Sequence, residues 1–386
     1  MVEITTQVDR PNVPPRRTAV KASITIQPGV QRTDVVRHVA LCVDTSGSMT
    51  GEKMAQVREG ILWTFGYLDP DDYVSVVSFD DEAEVVLPAT RWGDLDRDAA
   101  EAAIEGMEAS GGTDVMAGLR TAHETLSELP TGGDVARRIL LLSDGRDDTP
   151  PETFADVARR IRIEDDVSIP AAGIGDYYDE DVIRAVGTAS EGEWIHLSEP
   201  SDIEDFFGRK VEGISTVVAP QPHLELSLAE GVEVREVLIR QPQVQAANYD
   251  SHDDTVRIYL PDLLEFKEQE VVLEARTPAW RPGRTVALAD VVLRAEGRGE
   301  RGTIVVRCTD DPDELAVTND DVGVRHVETK VRKAAGEGDI EAAETLVDHA
   351  TEVHDEENLS TLRTVVEKAK QGGIEQQYTT TKVKDN

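Results

Sequence analysis

The sequence predicts a doubly wound, mostly parallel α/β sheet that is inserted in an antiparallel β-sandwich and followed by a C-terminal helical segment. Three observations indicate this fold class. Strand and helix patterns alternate between residues 34 and 209, short runs broken by Gly and Pro follow, and a helical period occupies the remainder. We therefore expect strands of the sandwich at 1–33, the α/β domain at 34–214, the sandwich at 215–310 and a helical region at 311–386.

The first strand with a clear pattern covers residues 18–28. Its apolar residues alternate with polar ones, as Ile24 and Ile26 do with Thr25 and Gln27. Such alternation is typical of a half-buried strand and differs from the pattern that follows it. We therefore expect this strand to pair within the sandwich, which makes the α/β domain an insertion between two strands of that sandwich.

The α/β domain is predicted from apolar strands with helical patterns between them. The strands are expected at 36–43, 73–79, 84–87, 138–143, 167–174 and 194–197. The helices are expected near 52–68, 97–108, 114–128, 151–163, 179–189 and 201–214. Strands that are apolar on both faces indicate a mostly parallel sheet with helices covering both sides.

The sandwich is predicted from shorter runs that are separated by turn residues such as Pro261 and Gly283. Its strands are expected at 224–228, 232–239, 256–260, 270–275, 286–293 and 303–307. Further along, Leu359, Leu362 and Val366 form an apolar stripe at helical spacing. We expect these helices to pack against the neighbouring domain or a second copy, although the sequence leaves the oligomeric state open.

The composition excludes several classes of partner. Asp and Glu total 76 against 40 Lys and Arg, which gives a formal net charge of −36. This excess repels nucleic acid and anionic lipid, so neither is expected as a partner. Because the acidic residues are spread along the whole chain, we interpret them as a solvation coat of a halophilic protein.

The same sequence indicates a location in the cytoplasm. No apolar stretch approaches the roughly 18 residues of a membrane span. The two cysteines, Cys42 and Cys308, lie far apart and suggest no disulfide framework. Cys42 lies within an apolar strand, where a small buried thiol is expected.

Three oxygen-rich segments lie where a parallel α/β sheet binds ligands, beyond the carboxyl ends of its strands. Asp44-Thr45-Ser46-Gly47-Ser48 follows the first core strand, Ser110 to Asp114 leads into a helix, and Ser143-Asp144 ends a later strand. Each residue alone could be a plain turn or cap residue. Together, hydroxyl and carboxylate oxygens predict a site for a hard dication, namely Mg²⁺, Mn²⁺ or Ca²⁺.

These segments resemble a known family. The pentad that begins at Asp44 matches the DxSxS signature of the von Willebrand factor A domain, with Thr113 as its second-loop threonine and Asp144 as its third-loop aspartate. The resemblance covers roughly residues 34–210 and implies a metal-ion-dependent adhesion site. In the family, the serines and the threonine bind the metal directly, and the aspartates often act through water. The implied metal site comprises Asp44, Ser46, Ser48, Thr113 and Asp144.

The resemblance also implies a partner. In this family, a Glu or Asp of another protein completes the coordination sphere of the metal, so we expect a cation-dependent binding module and not an enzyme. The domain order resembles that of prokaryotic members with a flanking β-sandwich and C-terminal helices. Such members are often encoded or complexed with AAA-type ATPases of the MoxR kind, and the resemblance allows such a partner here.

Two alternative functions remain open at this point. Asp44 at a strand end is similar to the nucleophile of haloacid dehalogenase-like phosphatases, which would make the protein a metal-dependent phosphohydrolase. Those enzymes have a second aspartate two positions on, where this chain has Ser46, which cannot act as the acid. The other alternative is a scaffold in which the metal only stiffens the loops.

Three further aspartates lie in these loops. Asp114 is expected to cap a helix, and Asp147 and Asp148 are expected to be solvated acids.

Overall fold

The computed structural model describes residues 2–29, 35–131, 135–175, 178–214, 217–295, 298–351 and 356–370. The chain forms two compact units. The α/β unit comprises residues 31–221 and 261–265, and the sandwich unit comprises residues 1–30, 222–260 and 266–386. The chain of the sandwich unit is therefore interrupted by the α/β unit. The four boundaries expected from the sequence stay predictions, and the part of the helical region beyond residue 370 lies outside the described residues.

The strands are numbered in chain order. They are β1 Val2–Val8, β2 Asn12–Val13, β3 Thr18–Pro28, β4 Val36–Asp44, β5 Tyr73–Phe79, β6 Ala83–Arg91, β7 Val135–Ser143, β8 Val167–Ser168, β9 Ala171–Ile174, β10 Trp194–Leu197, β11 Val217–Ala219, β12 His223–Leu228, β13 Glu233–Gln241, β14 Gln245–Ala246, β15 Tyr249–His252, β16 Thr255–Tyr259, β17 Leu263–Leu264, β18 Gln269–Thr277, β19 Thr285–Ala295 and β20 Arg298–Cys308.

The helices follow the same convention. They are α1 Glu52–Thr64, α2 Arg97–Glu105, α3 Val115–Ser127, α4 Pro151–Asp165, α5 Glu180–Ala189, α6 Asp202–Ile214, α7 Pro312–Leu315, α8 Asp320–Gly336, α9 Ile340–Thr351 and α10 Glu356–Lys370. No helix in the described part of the chain is both long and apolar enough to cross a membrane.

The α/β unit is built on a mostly parallel sheet with the strand order β10-β9-β7-β4-β5-β6, and β8 also pairs with β7. Every pair in this sheet is parallel except β5 with β6. The strand β4 lies between β5 and β7, and its register places Val43 opposite Leu142. Asp44 therefore ends next to Ser143, which brings the first and third oxygen-rich segments together.

The middle of this sheet is apolar on both faces, as the sequence predicts. In β4, Leu41, Cys42 and Val43 are each 0% exposed. Burial of a Leu or Val side chain stabilises the fold by roughly 1.5–3 kcal/mol. This packing fixes β4 and so holds Asp44 in place at its carboxyl end.

The sandwich unit contains a five-stranded sheet, β1-β3-β18-β13-β14, and a six-stranded sheet, β15-β16-β12-β19-β20-β2. Within the first sheet, β3 pairs with both β1 and β18, with Ile24 opposite Thr6 and Val271. The strand predicted at residues 18–28 therefore belongs to the sandwich, and the predicted fold class is confirmed. The pairs are antiparallel except for the two-residue contact of β2 with β20.

The helix α8 packs against the five-stranded sheet through a buried carboxylate. Glu270 of β18 is 1% exposed and accepts hydrogen bonds from Ser23 Oγ, Arg240 Nη1 and Arg325 Nη1, each at 2.7 Å. These donors belong to β3, β13 and α8, respectively. Charge-assisted hydrogen bonds of this kind compensate for the desolvation of a buried carboxylate. The C-terminal helices thus begin on the sandwich of their own chain.

Candidate metal centre

The first loop of the site is anchored by Asp44. Its side chain lies at the end of β4 and is 0% exposed. The Oδ1 atom accepts a hydrogen bond from the backbone N–H of Ser46 at 2.7 Å, and Oδ2 accepts one from Ser143 Oγ at 2.5 Å. The carboxylate therefore joins the first loop to the third loop and fixes the turn that carries Ser46 and Ser48.

Three oxygen atoms converge beside this turn. The Oγ atoms of Ser46 and Ser48 are 3.0 Å apart, and Asp144 Oδ1 lies 3.4 Å from the first and 2.7 Å from the second. We call these three atoms the oxygen triangle. Two of them belong to residues two positions apart in one turn, and the third belongs to the residue that follows β7.

The second loop is held against the first by backbone hydrogen bonds. The N–H of Ser110 donates to Thr45 O at 2.7 Å, and the N–H of Gly47 donates to Gly111 O at 3.1 Å. These bonds position Thr113, whose half-buried side chain lies against Gly145. A Cβ atom placed on Gly145 would be only 2.3 Å from Thr113 Oγ1. Thr113 therefore lies beside the residue that follows Asp144.

The two further aspartates of these loops have structural roles. Asp114 caps α3, because its Oδ1 accepts a hydrogen bond from Ala117 N at 2.8 Å, as the sequence predicts. The prediction that Asp147 is only a solvated acid is wrong. Its carboxylate accepts hydrogen bonds from Val115 N at 2.9 Å and from Thr149 N at 2.8 Å, so it fastens the third loop to α3.

Two carboxylates share this largely buried site. Burial raises the pKa of Asp44, and the carboxylate of Asp144 adds to that rise, whereas hydrogen bonds from Ser143 and Ser46 oppose it. Negative charge held in such a place without compensation costs free energy. The arrangement therefore favours positive charge beside the two carboxylates.

Lys53 is a residue of the site that the sequence motifs do not predict. It lies in the first turn of α1, and its ammonium group forms an ion pair with Asp144 Oδ2. The side chain of Asp144 is 0% exposed, whereas that of Lys53 is 28% exposed. No short motif predicts this pair because 91 positions separate the two residues. The hydrogen bond from Ser143 to Asp44 was also not predicted.

The oxygen triangle fits one face of the coordination sphere of Mg²⁺. An octahedron with Mg–O distances of about 2.0–2.1 Å has edges of about 2.9 Å. The triangle has edges of 2.7, 3.0 and 3.4 Å. Among the described residues, no group of three His, Cys, Asp or Glu side chains could hold a metal, so a metal bound there depends on hydroxyl ligands.

The structure therefore brings together Asp44, Ser46, Ser48 and Asp144. It places Thr113 beside Gly145, the residue that follows Asp144. The first four are linked by direct hydrogen bonds. Thr113 reaches the group through its contact with Gly145. The role of these five residues as metal ligands stays a prediction.

The fold and this group of side chains define an α/β protein with a cluster of oxygen atoms at the carboxyl ends of its central strands. Residues 39–146 match the sequence profile of the von Willebrand factor type A domain. The chain thus contains a segment that matches this domain, and the resemblance drawn from the motifs is confirmed.

Two proteins are similar to this chain in sequence. The uncharacterised protein sll0103 of Synechocystis is 26% identical over 254 residues, which cover 64% of this chain and 59% of that protein. Mouse inter-alpha-trypsin inhibitor heavy chain H2 is 28% identical over 168 residues, or 41% of this chain and 17% of that protein. The chain thus spans less than two thirds of the length of these relatives.

A solved structure shows the same fold over nearly the whole chain. It is described as von Willebrand factor type A from Catenulispora acidiphila. The TM-score is 0.76, with 18% sequence identity, and the match covers 93% of this chain and 89% of that chain. The shared fold thus extends beyond the α/β unit to the sandwich and the helices.

Proposed function

We propose that this protein is a divalent-cation-dependent binding module that recognises an acidic side chain of a partner protein. The oxygen triangle is the observation that supports this proposal best, because its edges suit one face of a Mg²⁺ octahedron. The family supports the coarser part of the proposal, namely that the domain binds another protein. The partner itself is a prediction from chemistry.

The five residues would have different roles in binding the metal. Ser46, Ser48 and Thr113 supply neutral oxygens, and Asp44 and Asp144 supply negative charge. A bound Mg²⁺, Mn²⁺ or Ca²⁺ would offer a Lewis-acidic position to a carboxylate from outside. Ser48 is exposed, so the site is open toward a partner on that side. A MoxR-type AAA ATPase is one candidate partner that the family resemblance allows.

The alternative of phosphoester hydrolysis finds little support in the position of Asp44. A nucleophilic carboxylate needs an oxygen that can reach the substrate, but the side chain of Asp44 is 0% exposed. Both of its oxygens already accept hydrogen bonds, from Ser46 N and Ser143 Oγ. Asp44 is therefore better suited to organise the loops than to attack a phosphate.

Calorimetric titration with MgCl₂, MnCl₂ and CaCl₂ tests the site itself. We expect the double substitution Ser46→Ala and Ser48→Ala to weaken cation binding at least about tenfold, because two ligands are lost and the carboxylates remain. Ser227→Ala, at an exposed position of β12, is the matched control and should bind as the unaltered protein does. Equal affinity in all three proteins would refute the proposed site.

Capture from the native lysate at high salt then tests the function. A partner retained by the immobilised protein with Mg²⁺, and lost both in EDTA and with the doubly substituted protein, agrees with the proposal. A partner retained in EDTA favours the scaffold alternative, in which the metal only stiffens the loops. The Ser227→Ala protein controls for handling, since its hydroxyl lies outside the site.

A further inference from the structure

The ion pair between Lys53 and Asp144 places a positive charge inside the candidate metal centre. Lys53 reaches from α1 to the buried carboxylate at the end of β7. Its Nζ atom also lies near Gly175, since a Cβ atom added there would be 3.7 Å from it. The ammonium group thus lies between the third loop and the loop that follows β9.

We propose that Lys53 is a fixed counter-charge that weakens metal binding and strengthens the binding of a carboxylate to the metal-loaded site. This inference rests on the proposed function and adds to it the residue that makes the loaded site select an anionic partner. The supporting observation is that one carboxylate oxygen of Asp144 contacts the serine hydroxyls and the other contacts Lys53.

The two oxygens of Asp144 face different groups. Oδ1 accepts the hydrogen bonds from Ser46 Oγ and Ser48 Oγ and so belongs to the oxygen triangle. Oδ2 accepts the hydrogen bond from Lys53 Nζ. A metal ion, or a water bound to it, can use the Oδ1 side while Lys53 stays on Oδ2. The ammonium group therefore does not have to leave when the site is loaded.

The charges then decide what the loaded site attracts. Asp44 and Asp144 carry two negative charges and Lys53 carries one positive charge. With a dication the sum over these three side chains and the metal is +1, which a single carboxylate from outside would neutralise. Without Lys53 the sum would be zero, and the attraction for that carboxylate would be smaller. The metal itself would be held more tightly, because no like charge would oppose it.

This effect should persist in concentrated salt. Salt screens charges in solvent within a few ångströms at molar concentration, but it screens buried pairs much less. The Asp144 side chain is 0% exposed and that of Lys53 is 28% exposed, so most of the ion pair is shielded from solvent. A contact of this kind can act where long-range attraction between proteins is lost.

The test compares Mn²⁺ binding by four full-length proteins. They are the unaltered protein, the neutral variants Lys53→Met and Lys53→Gln, and the charged variant Lys53→Arg. Electron paramagnetic resonance of free Mn²⁺ gives the affinity. We expect both neutral variants to bind Mn²⁺ more tightly, on the order of tenfold, and Lys53→Arg to stay within about threefold of the unaltered protein. Two neutral variants are used because one of them could fold poorly.

Acetate serves as the probe for the second half of the proposal. Its binding to the Mn²⁺-loaded proteins is followed by water-proton relaxation, which falls when acetate displaces metal-bound water. The neutral variants should need on the order of tenfold more acetate for half displacement, whereas Lys53→Arg should behave like the unaltered protein.

The outcomes separate this inference from the proposed function. If the unaltered protein binds none of Mn²⁺, Mg²⁺ and Ca²⁺, both are refuted. If it binds Mn²⁺ and the folded neutral variants show the same affinities for Mn²⁺ and acetate, only the role of Lys53 is refuted. The same holds if Lys53→Arg changes both affinities as much as the neutral variants do, because packing and not charge would then be responsible.

Discussion

A single glycine makes room for the second-loop threonine of the site. A Cβ atom on Gly145 would lie 2.3 Å from Thr113 Oγ1 and 2.9 Å from Thr113 Cβ. Real Cβ atoms do not approach other atoms so closely, so any larger residue would push Thr113 or the third loop aside. The position of Thr113 thus depends on the residue next to Asp144.

We predict that Gly145→Ala weakens Mg²⁺ binding by roughly three- to tenfold, because it displaces one neutral ligand and leaves the carboxylates in place. Calorimetric titration measures this change. Gly66→Ala is the matched control, since nothing lies within 4 Å of the added Cβ and the residue lies outside the three loops. Unchanged affinity in Gly145→Ala would show that Thr113 is not a ligand.

At the scale of residues, the sequence predicts the site residues that lie within one motif. It does not predict those that come from a distant part of the chain. Asp44, Ser46 and Ser48 lie within five consecutive residues, so their common turn can be recognised directly. Lys53 meets Asp144 only because the fold brings the start of α1 close to the residue that follows β7. A lysine in the first turn of a helix is more often a solvated residue than part of a site, so the sequence alone gives no reason to choose it.

At the scale of elements, apolar strands are predicted well and irregular ones are not. The strands at Tyr73–Phe79 and Trp194–Leu197 agree with the expected bounds. The strand expected at 167–174 is divided in two around Pro170, because proline has no N–H to donate to a neighbouring strand. The strand Val2–Val8 was not identified, since its interior is mostly polar.

The helix α8 contains a buried histidine that should make the fold sensitive to acid. His326 is 1% exposed, and neither ring nitrogen has a hydrogen-bond partner among the described residues. Burial, together with Lys21 and Lys330, lowers its pKa to about 3. Between that value and the ordinary pKa of about 6.5, the unfolded chain binds a proton that the folded chain does not. The free energy of unfolding therefore falls as the pH falls below about 6.5.

We predict that His326→Leu removes this contribution, which amounts to roughly 2–3 kcal/mol between pH 6.5 and 4.5. Urea unfolding of both proteins at several pH values measures the difference. His252→Leu changes an exposed histidine of the same unit and should leave the pH dependence as it is. A slope in His326→Leu equal to that of the unaltered protein would contradict the prediction.

At the scale of the whole molecule, the net charge of −36 opposes the compact state through self-repulsion. The sequence predicts that this charge is a solvation coat suited to strong brine, and this interpretation stays a prediction. Neither the fold nor the site tests it, because the acidic residues are dispersed over both units. The halophilic interpretation concerns how the acidic residues interact with solvent, and the contacts within the protein do not report on that.

We predict that concentrated salt stabilises the protein. Each unfolding transition should shift upward by about 5 °C or more between about 0.1 M and about 2 M KCl, because screening removes repulsion among the acidic residues. Scanning calorimetry measures the transitions, and about 1 M sucrose serves as an uncharged control. Transitions that stay unchanged or fall in KCl would reject the halophilic interpretation.

The position of β3 has a consequence for biosynthesis. This strand pairs with β1 on one side and with β18 on the other, and the inserted unit separates β3 from β18 along the chain. During translation, the ribosome releases β3 long before its second partner strand exists. Most of the α/β unit can therefore fold on the nascent chain first, while the edge of β3 that later pairs with β18 is still unpaired.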